Sequence, residues 1–112
     1  MRMRTLLSTA ALAATTITPV VAMSAPADAT PTRTWDRIAR CESGGNWHIN
    51  TGNGYFGGLQ ISSGTWHGYG GGKFARIPSR ASKAQQIRVA ERIQNGQGWG
   101  AWPTCSQRAG VR

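Results

Sequence analysis

The chain has 112 residues and a formal net charge of +9, with 13 Lys and Arg against 4 Asp and Glu. That length excludes more than one substantial domain, and a domain this small buries only about 60% of its unfolded surface. The charge points to anionic surroundings, namely nucleic acid, a membrane surface or an acidic polymer, although the basic residues are scattered enough for solubility alone to explain them.

Met1 to Arg4 carries two arginines, Leu6 to Met23 has no charge, and Ala27-Asp28-Ala29 follows as a small-x-small site. This order reads as a secretory signal peptide over residues 1–29, cut after Ala29, with cleavage after Ala27 as the alternative. A membrane anchor is the competing reading; the Ala and Thr content makes a weak span, and the cleavage site follows directly. Export disfavours nucleic acid as a partner. It also places Cys41 and Cys105 in an oxidising compartment, where pairing is expected. Residues 30–33 read as a polar lead-in, and residues 34–112 as the single domain.

In that domain Thr34 is the expected cap of a helix from Trp35 to about Glu42, with Trp35, Ile38 and Ala39 as its apolar stripe. Ser43-Gly44-Gly45 stops it. Glycine recurs from Asn46 to Gly58, and Asn53-Gly54 predicts a tight turn between short extended pieces. A short helix from about Ser63 to His67 carries Trp66 and ends in Gly68 to Gly72. Lys83 to Gln94 is the clearest helix, with Ser82 and Gln85 forming a capping box. Its core side is expected at Ala84, Ile87, Ala90 and Ile93, and its end at Asn95-Gly96. Gly98 to Pro103 reads as irregular, with Trp99 or Trp102 wedging this segment against the helices. The sum is a helix-dominated α+β domain with a glycine-rich loop or short hairpin.

Beyond residue 29 only three carboxylates remain: Asp36, Glu42 and Glu91. Asp36 is expected to serve the dipole of the first helix, and Glu91 to be solvated or paired with Arg88 or Arg92. Glu42 ends a helix, where the macrodipole disfavours an acid, between a cysteine and a glycine-rich break. It is either a functional acid or a solvated surface glutamate. Asp36 and Glu42 lie six residues apart, about 120° around a helix, so they do not face one bond together. A chemistry using one acid is the economical reading.

Gly52 to Gly57 matches G-x-G-x-x-G, but the strand, helix and parallel sheet that give this motif meaning have no room here. His48 and His67 have no metal-ligand spacing, so neither metal nor cofactor is expected. The serines lack evident His and Asp partners for a hydrolytic triad. Trp47, Trp66 and Tyr55 flank the glycine-rich centre. Their rings either build the small core or stack on sugar faces, and Asn53 and Gln60 offer amide hydrogen bonds.

The run Cys41-Glu42-Ser43-Gly44-Gly45-Asn46-Trp47 is followed by Asn50 to Tyr55, Gly57-Gly58-Leu59-Gln60 and Gln97 to Pro103. In this order the motifs closely resemble the resuscitation-promoting factor domain, over about Thr34 to Gly110. The resemblance implies a lysozyme-like fold and action on the peptidoglycan of high-GC Gram-positive bacteria. It implies that Glu42 is the catalytic acid and that Cys41 and Cys105 are the family disulfide. Tyr55, Gln60, Thr65 and Trp66 would line the glycan groove. Some relatives carry an acid where this chain has Ser62, and some carry wall-binding modules, of which none is expected here.

The expectation is therefore a secreted or wall-associated enzyme cutting the MurNAc–GlcNAc backbone, as a lytic transglycosylase or a muramidase, and promoting resuscitation of dormant cells. The alternative is a weakly catalytic wall-binding or signalling protein. A third reading, a cationic membrane-active protein, lacks a long basic amphipathic helix. Expected partners are glycan strands, with a partner wall hydrolase as an open option. No nucleic acid and no membrane insertion after cleavage are expected, and the chain is expected to be a monomer.

Overall fold

Pro31 starts the first helix. The computed structural model describes residues 30–112, so the expected signal peptide lies outside the described residues. Pro31 is extended, at φ −60° and ψ 145°, and its carbonyl accepts the Thr34 N–H at 3.0 Å. Helix α1 accordingly spans Thr32–Ser43 rather than starting after Thr34. Thr34 is no cap; it is buried inside the first turn. Trp35, Ile38 and Ala39 face the core as their spacing predicts. Gly44 then turns left-handed and ends the helix, with its N–H on the carbonyl of Arg40.

Two short strands, β1 (Tyr55–Phe56) and β2 (Ile61–Ser62), pair antiparallel with Tyr55 opposite Ser62 and Phe56 opposite Ile61. The turn joining them is Gly57 to Gln60, not Asn53-Gly54. Asn53 instead accepts the Tyr55 N–H on its side-chain oxygen at 3.0 Å, which bends the chain just before β1. Gly58 has a steric reason to lack a side chain: a Cβ there would sit 2.4 Å from the Trp47 ring.

Helix α2 (Ser63–Gly68) follows, capped by Ser62, whose Oγ accepts the Thr65 N–H at 3.2 Å. After 3-10 turns at Gly71–Lys73 and Pro78–Arg80 comes α3 (Lys83–Gln97), with the Ser82–Gln85 capping box in place. Helix α3 runs through Asn95-Gly96. Gly96 is tolerated because Tyr69 packs where its Cβ would stand, and Gly98, at φ 77°, makes the real stop. The buried stripe of α3 is Gln86, Val89, Ala90 and Ile93. Ala84 and Ile87 are rotated off it and flank a shallow apolar hollow with Thr32 and Lys83.

Gln86 is fully buried and fully used. Its Oε1 accepts the Gly58 N–H at 3.0 Å, and its Nε2 faces the carbonyls of Trp47 at 2.7 Å and Ala81 at 3.0 Å. One side chain thus ties three loops to α3, and because it is polar an apolar-periodicity reading overlooks it.

The segment read as irregular is ordered. A 3-10 turn at Trp99–Ala101 leads into α4 (Pro103–Arg108), with Pro103 at the helix start where its missing N–H costs nothing. Helix α4 packs on α1. Trp35, Trp99 and Trp102 form an aromatic cluster with centroids 5.2–6.2 Å apart. Cys41 and Cys105 are joined, their Cα atoms 5.6 Å apart. The result is a small helix-dominated α+β domain with one short hairpin and one disulfide.

Candidate functional site

Glu42 lies in the last turn of α1, and the bond from Cys41 to Cys105 draws the start of α4 against that turn. A cavity of about 380 Å³ opens between them, with Glu42, Pro103, Thr104 and Cys105 on one side and Tyr55 and Gln60 across from them. A smaller cavity of about 90 Å³ shares Tyr55, Gln60, Ala101 and Trp102 with the first and continues past Ser62 and Thr65 to Ile93 and Gln97. Together they form one groove whose lining includes Glu42 in the larger part and Thr65 in the smaller.

Burial raises the Glu42 pKa above the ordinary carboxylate value. The other two acids are occupied elsewhere. Asp36 does not lie in the first turn of α1 and does not serve its dipole; it pairs with Lys83 at 2.7 Å. Glu91 pairs with neither Arg88 nor Arg92: its Oε2 accepts the Trp35 indole N–H at 3.4 Å. Arg92 instead donates to the Tyr69 carbonyl, and Arg88 sits over the Phe74 ring. Among the described residues, no cluster of three or more His, Cys, Asp or Glu side chains could hold a metal. His48 Nδ1 lies 2.9 Å from the Ser79 carbonyl and His67 Nε2 lies 2.8 Å from that of Arg76, so each of these nitrogens carries a proton.

The opposite wall is built on strain. Among the described residues, Gln60 is the non-glycine residue with positive φ, 53°, an arrangement that costs about 1–3 kcal/mol and gathers at functional sites. Its amide is held at both ends, donating to the Gly57 carbonyl and accepting from Asn53 Nδ2, each at 3.2 Å. Tyr55, half exposed at 51%, presents its ring beside it. Thr65 accepts a hydrogen bond from the Ser62 hydroxyl at 3.0 Å, so the hydroxyl standing where some relatives have an acid is already committed.

Residues 29–105 match the family described as the transglycosylase-like domain, and the chain is 60% identical over 89 residues to Resuscitation-promoting factor Rpf1 of Corynebacterium glutamicum. The chain belongs to the transglycosylase-like, resuscitation-promoting factor family. The Rpf1 match covers 80% of this chain and 46% of that protein. Resuscitation-promoting factor Rpf of Micrococcus luteus is 54% identical over 91 residues, 81% of this chain and 40% of its own length. Resuscitation-promoting factor RpfC of Mycobacterium tuberculosis is 48% identical over 102 residues, 90% of this chain and 71% of that one. The chain thus spans less than half the length of the first two relatives.

Of the residues the sequence nominates, the groove brings together Glu42, Tyr55, Gln60 and Thr65, while Asn53 lines neither cavity and donates to Gln60. Trp66 is 0% exposed, packs against Gly71 and donates its N–H to the Ala75 carbonyl, so in this structure its ring belongs to the core. Trp47 lines neither cavity, because Gly58 covers one ring face and the Lys83 ammonium stands 5.4 Å from the ring centre. Trp102, Pro103 and Thr104 are groove residues that sequence reasoning missed. A signal was available, since the partner of Cys41 must bring its own neighbours beside Glu42.

Proposed function

We propose that this chain is a secreted muralytic enzyme with a lysozyme-like fold, which cuts peptidoglycan between N-acetylmuramic acid and N-acetylglucosamine with Glu42 as its acid. The observation that supports the reading most is that Glu42 is the carboxylate lining the groove, where burial raises its pKa and so favours keeping its proton. Such a proton is available for transfer to the glycosidic oxygen as the bond breaks. Tyr55 offers a ring face to a sugar, and Gln60, held by Asn53, offers amide contacts to its substituents.

Without a second carboxylate in the groove, the charge developing at the sugar is relieved by its own N-acetyl group, as in substrate-assisted glycosidases. Glu42, now a carboxylate, then takes a proton either from the muramic acid C6 hydroxyl or from water. The first closes a 1,6-anhydro ring and the second hydrolyses. Either way the proton returns to Glu42 and the cycle closes. In the cell this activity would remodel the wall and help dormant cells resume growth, after removal of residues 1–29 and with the chain acting as a monomer.

The commitment of Ser62 to Thr65 favours one further reading, a weakly catalytic glycan binder or signal. Dye release from labelled sacculi separates the two. Removing a general acid is expected to lower release about 10²- to 10⁴-fold in Glu42→Gln. Growth stimulation by Glu42→Gln at the wild-type level would favour the binder.

A further inference from the structure

On α1, Arg33, Arg37 and Arg40 are all exposed and fall within about 60° of one another around the helix axis, because they are spaced four and three residues apart. Glu42 is nine residues from Arg33, about 180° around the same axis. The stripe therefore faces away from the groove. Arg37 donates to the carbonyl of Ala109 at 3.3 Å, and the residue before Ala109 is Arg108, exposed at the end of α4. The one acid nearby, Asp36, is already neutralised by Lys83.

Helix stability does not account for the stripe. Arg40 suits the last turn of α1, but Arg33 occupies the first turn, where the macrodipole disfavours a cation. Some other cations are drawn into packing, with Lys73 and Arg88 over Phe74 and Arg92 bonded to Tyr69, while Arg76 and Arg80 are exposed on the loop before α3. The α1 guanidinia instead stand in a row, at rises of about 6 and 4.5 Å along the axis. A row of planar forks suits a chain with regularly repeated oxyanions. The face has no apolar side chain to enter a bilayer; the large exposed hydrophobic residue of the described chain is Tyr55, at the groove.

We infer that the outer face of α1, with Arg33, Arg37, Arg40 and Arg108, binds a linear phosphodiester polyanion while Glu42 on the opposite face remains open. This surface is independent of what Glu42 does. It would hold the protein on an anionic wall polymer with its groove turned away from that polymer.

Calorimetric titration of the full chain with poly(glycerol phosphate) at low ionic strength tests this. Arg33→Gln/Arg40→Gln is expected to bind at least about tenfold more weakly than wild type, since each surface cation near an anionic array contributes measurably. The charge-matched Arg76→Gln/Arg80→Gln, on the loop before α3, is expected to lose less than about threefold. Arg37→Gln/Arg108→Gln, a second pair on the proposed face, should repeat the loss. Equal losses from the stripe and the loop would overturn the inference in favour of net charge alone. So would binding to phosphatidylglycerol vesicles but not to the soluble polymer, or no binding by wild type.

Discussion

The indole N–H of Trp102 donates to the carbonyl of Leu59 across 2.9 Å, and this bond joins the two walls of the groove. Leu59 precedes the strained Gln60 on one wall, and Trp102 precedes Pro103 and Thr104 on the other. Trp102→Phe keeps a ring but leaves a buried carbonyl without its donor. The expected cost is about 1–3 kcal/mol in urea unfolding, with a fall in wall-fragment release as the walls part. An unchanged unfolding midpoint would show that the bond does not brace the groove.

Gln86 braces the site from behind. Gln86→Met preserves approximate volume but strands the Gly58 N–H and removes the donor facing the Trp47 and Ala81 carbonyls. With several buried groups left unpaired, a loss of at least about 3 kcal/mol is expected. Thermal melts check this, since about 1 kcal/mol shifts the midpoint of a domain this size by about 4–8 °C.

The disulfide spans 64 residues of sequence and joins the last turn of α1 to α4. Closing a loop of that order stabilises a fold by about 4 kcal/mol in the chain-entropy model. A small core by itself supplies only about 3–5 kcal/mol. Strong reductant is therefore expected to unfold most of the domain at 37 °C, seen as loss of the near-ultraviolet tryptophan signal. A melt unaffected by reductant would contradict this.

Glu42 should leave a pH signature in stability. Its folded pKa lies above the ordinary carboxylate value of 4.5, so the folded chain holds that proton more tightly than the unfolded one. Stability from this group therefore falls as pH rises from 4.5 through the folded pKa, and the cost is fully present above it. Glu42→Gln cannot ionise. It is expected to melt higher than wild type at neutral pH, with the gap closing in acid; a gap independent of pH would rule out burial of the ionising group.

Much of this arrangement was legible in the sequence. The apolar stripe of α1, the Trp66 helix and the Ser82–Gln85 capping box follow from local periodicity and side-chain chemistry. Glu42 stands out because so few acids compete with it. What the residues alone concealed depends on tertiary contacts. Gln86 is polar, so counting apolar positions displaced the buried stripe of α3 onto Ala84 and Ile87. Gly96 reads as a stop until Tyr69 occupies the space beside it. Helix α4 follows two glycines and opens on a proline, and its role emerges only once Cys105 is placed against Cys41. For Trp66 and Trp47 the sequence left core and sugar face open, because indoles suit both; Trp66 is buried against Gly71, and Trp47 is partly buried against Gly58.

Every step of the proposed chemistry passes through the proton on Glu42. Mass spectrometry of the soluble products from purified peptidoglycan, digested by wild type and by Glu42→Gln, tests it most directly. Wild type should release disaccharide fragments whose masses reveal either an anhydro ring or one added water, and Glu42→Gln, though folded, should release them at least about 10²-fold less. Fragments of the same masses in the same yield from both proteins would contradict it.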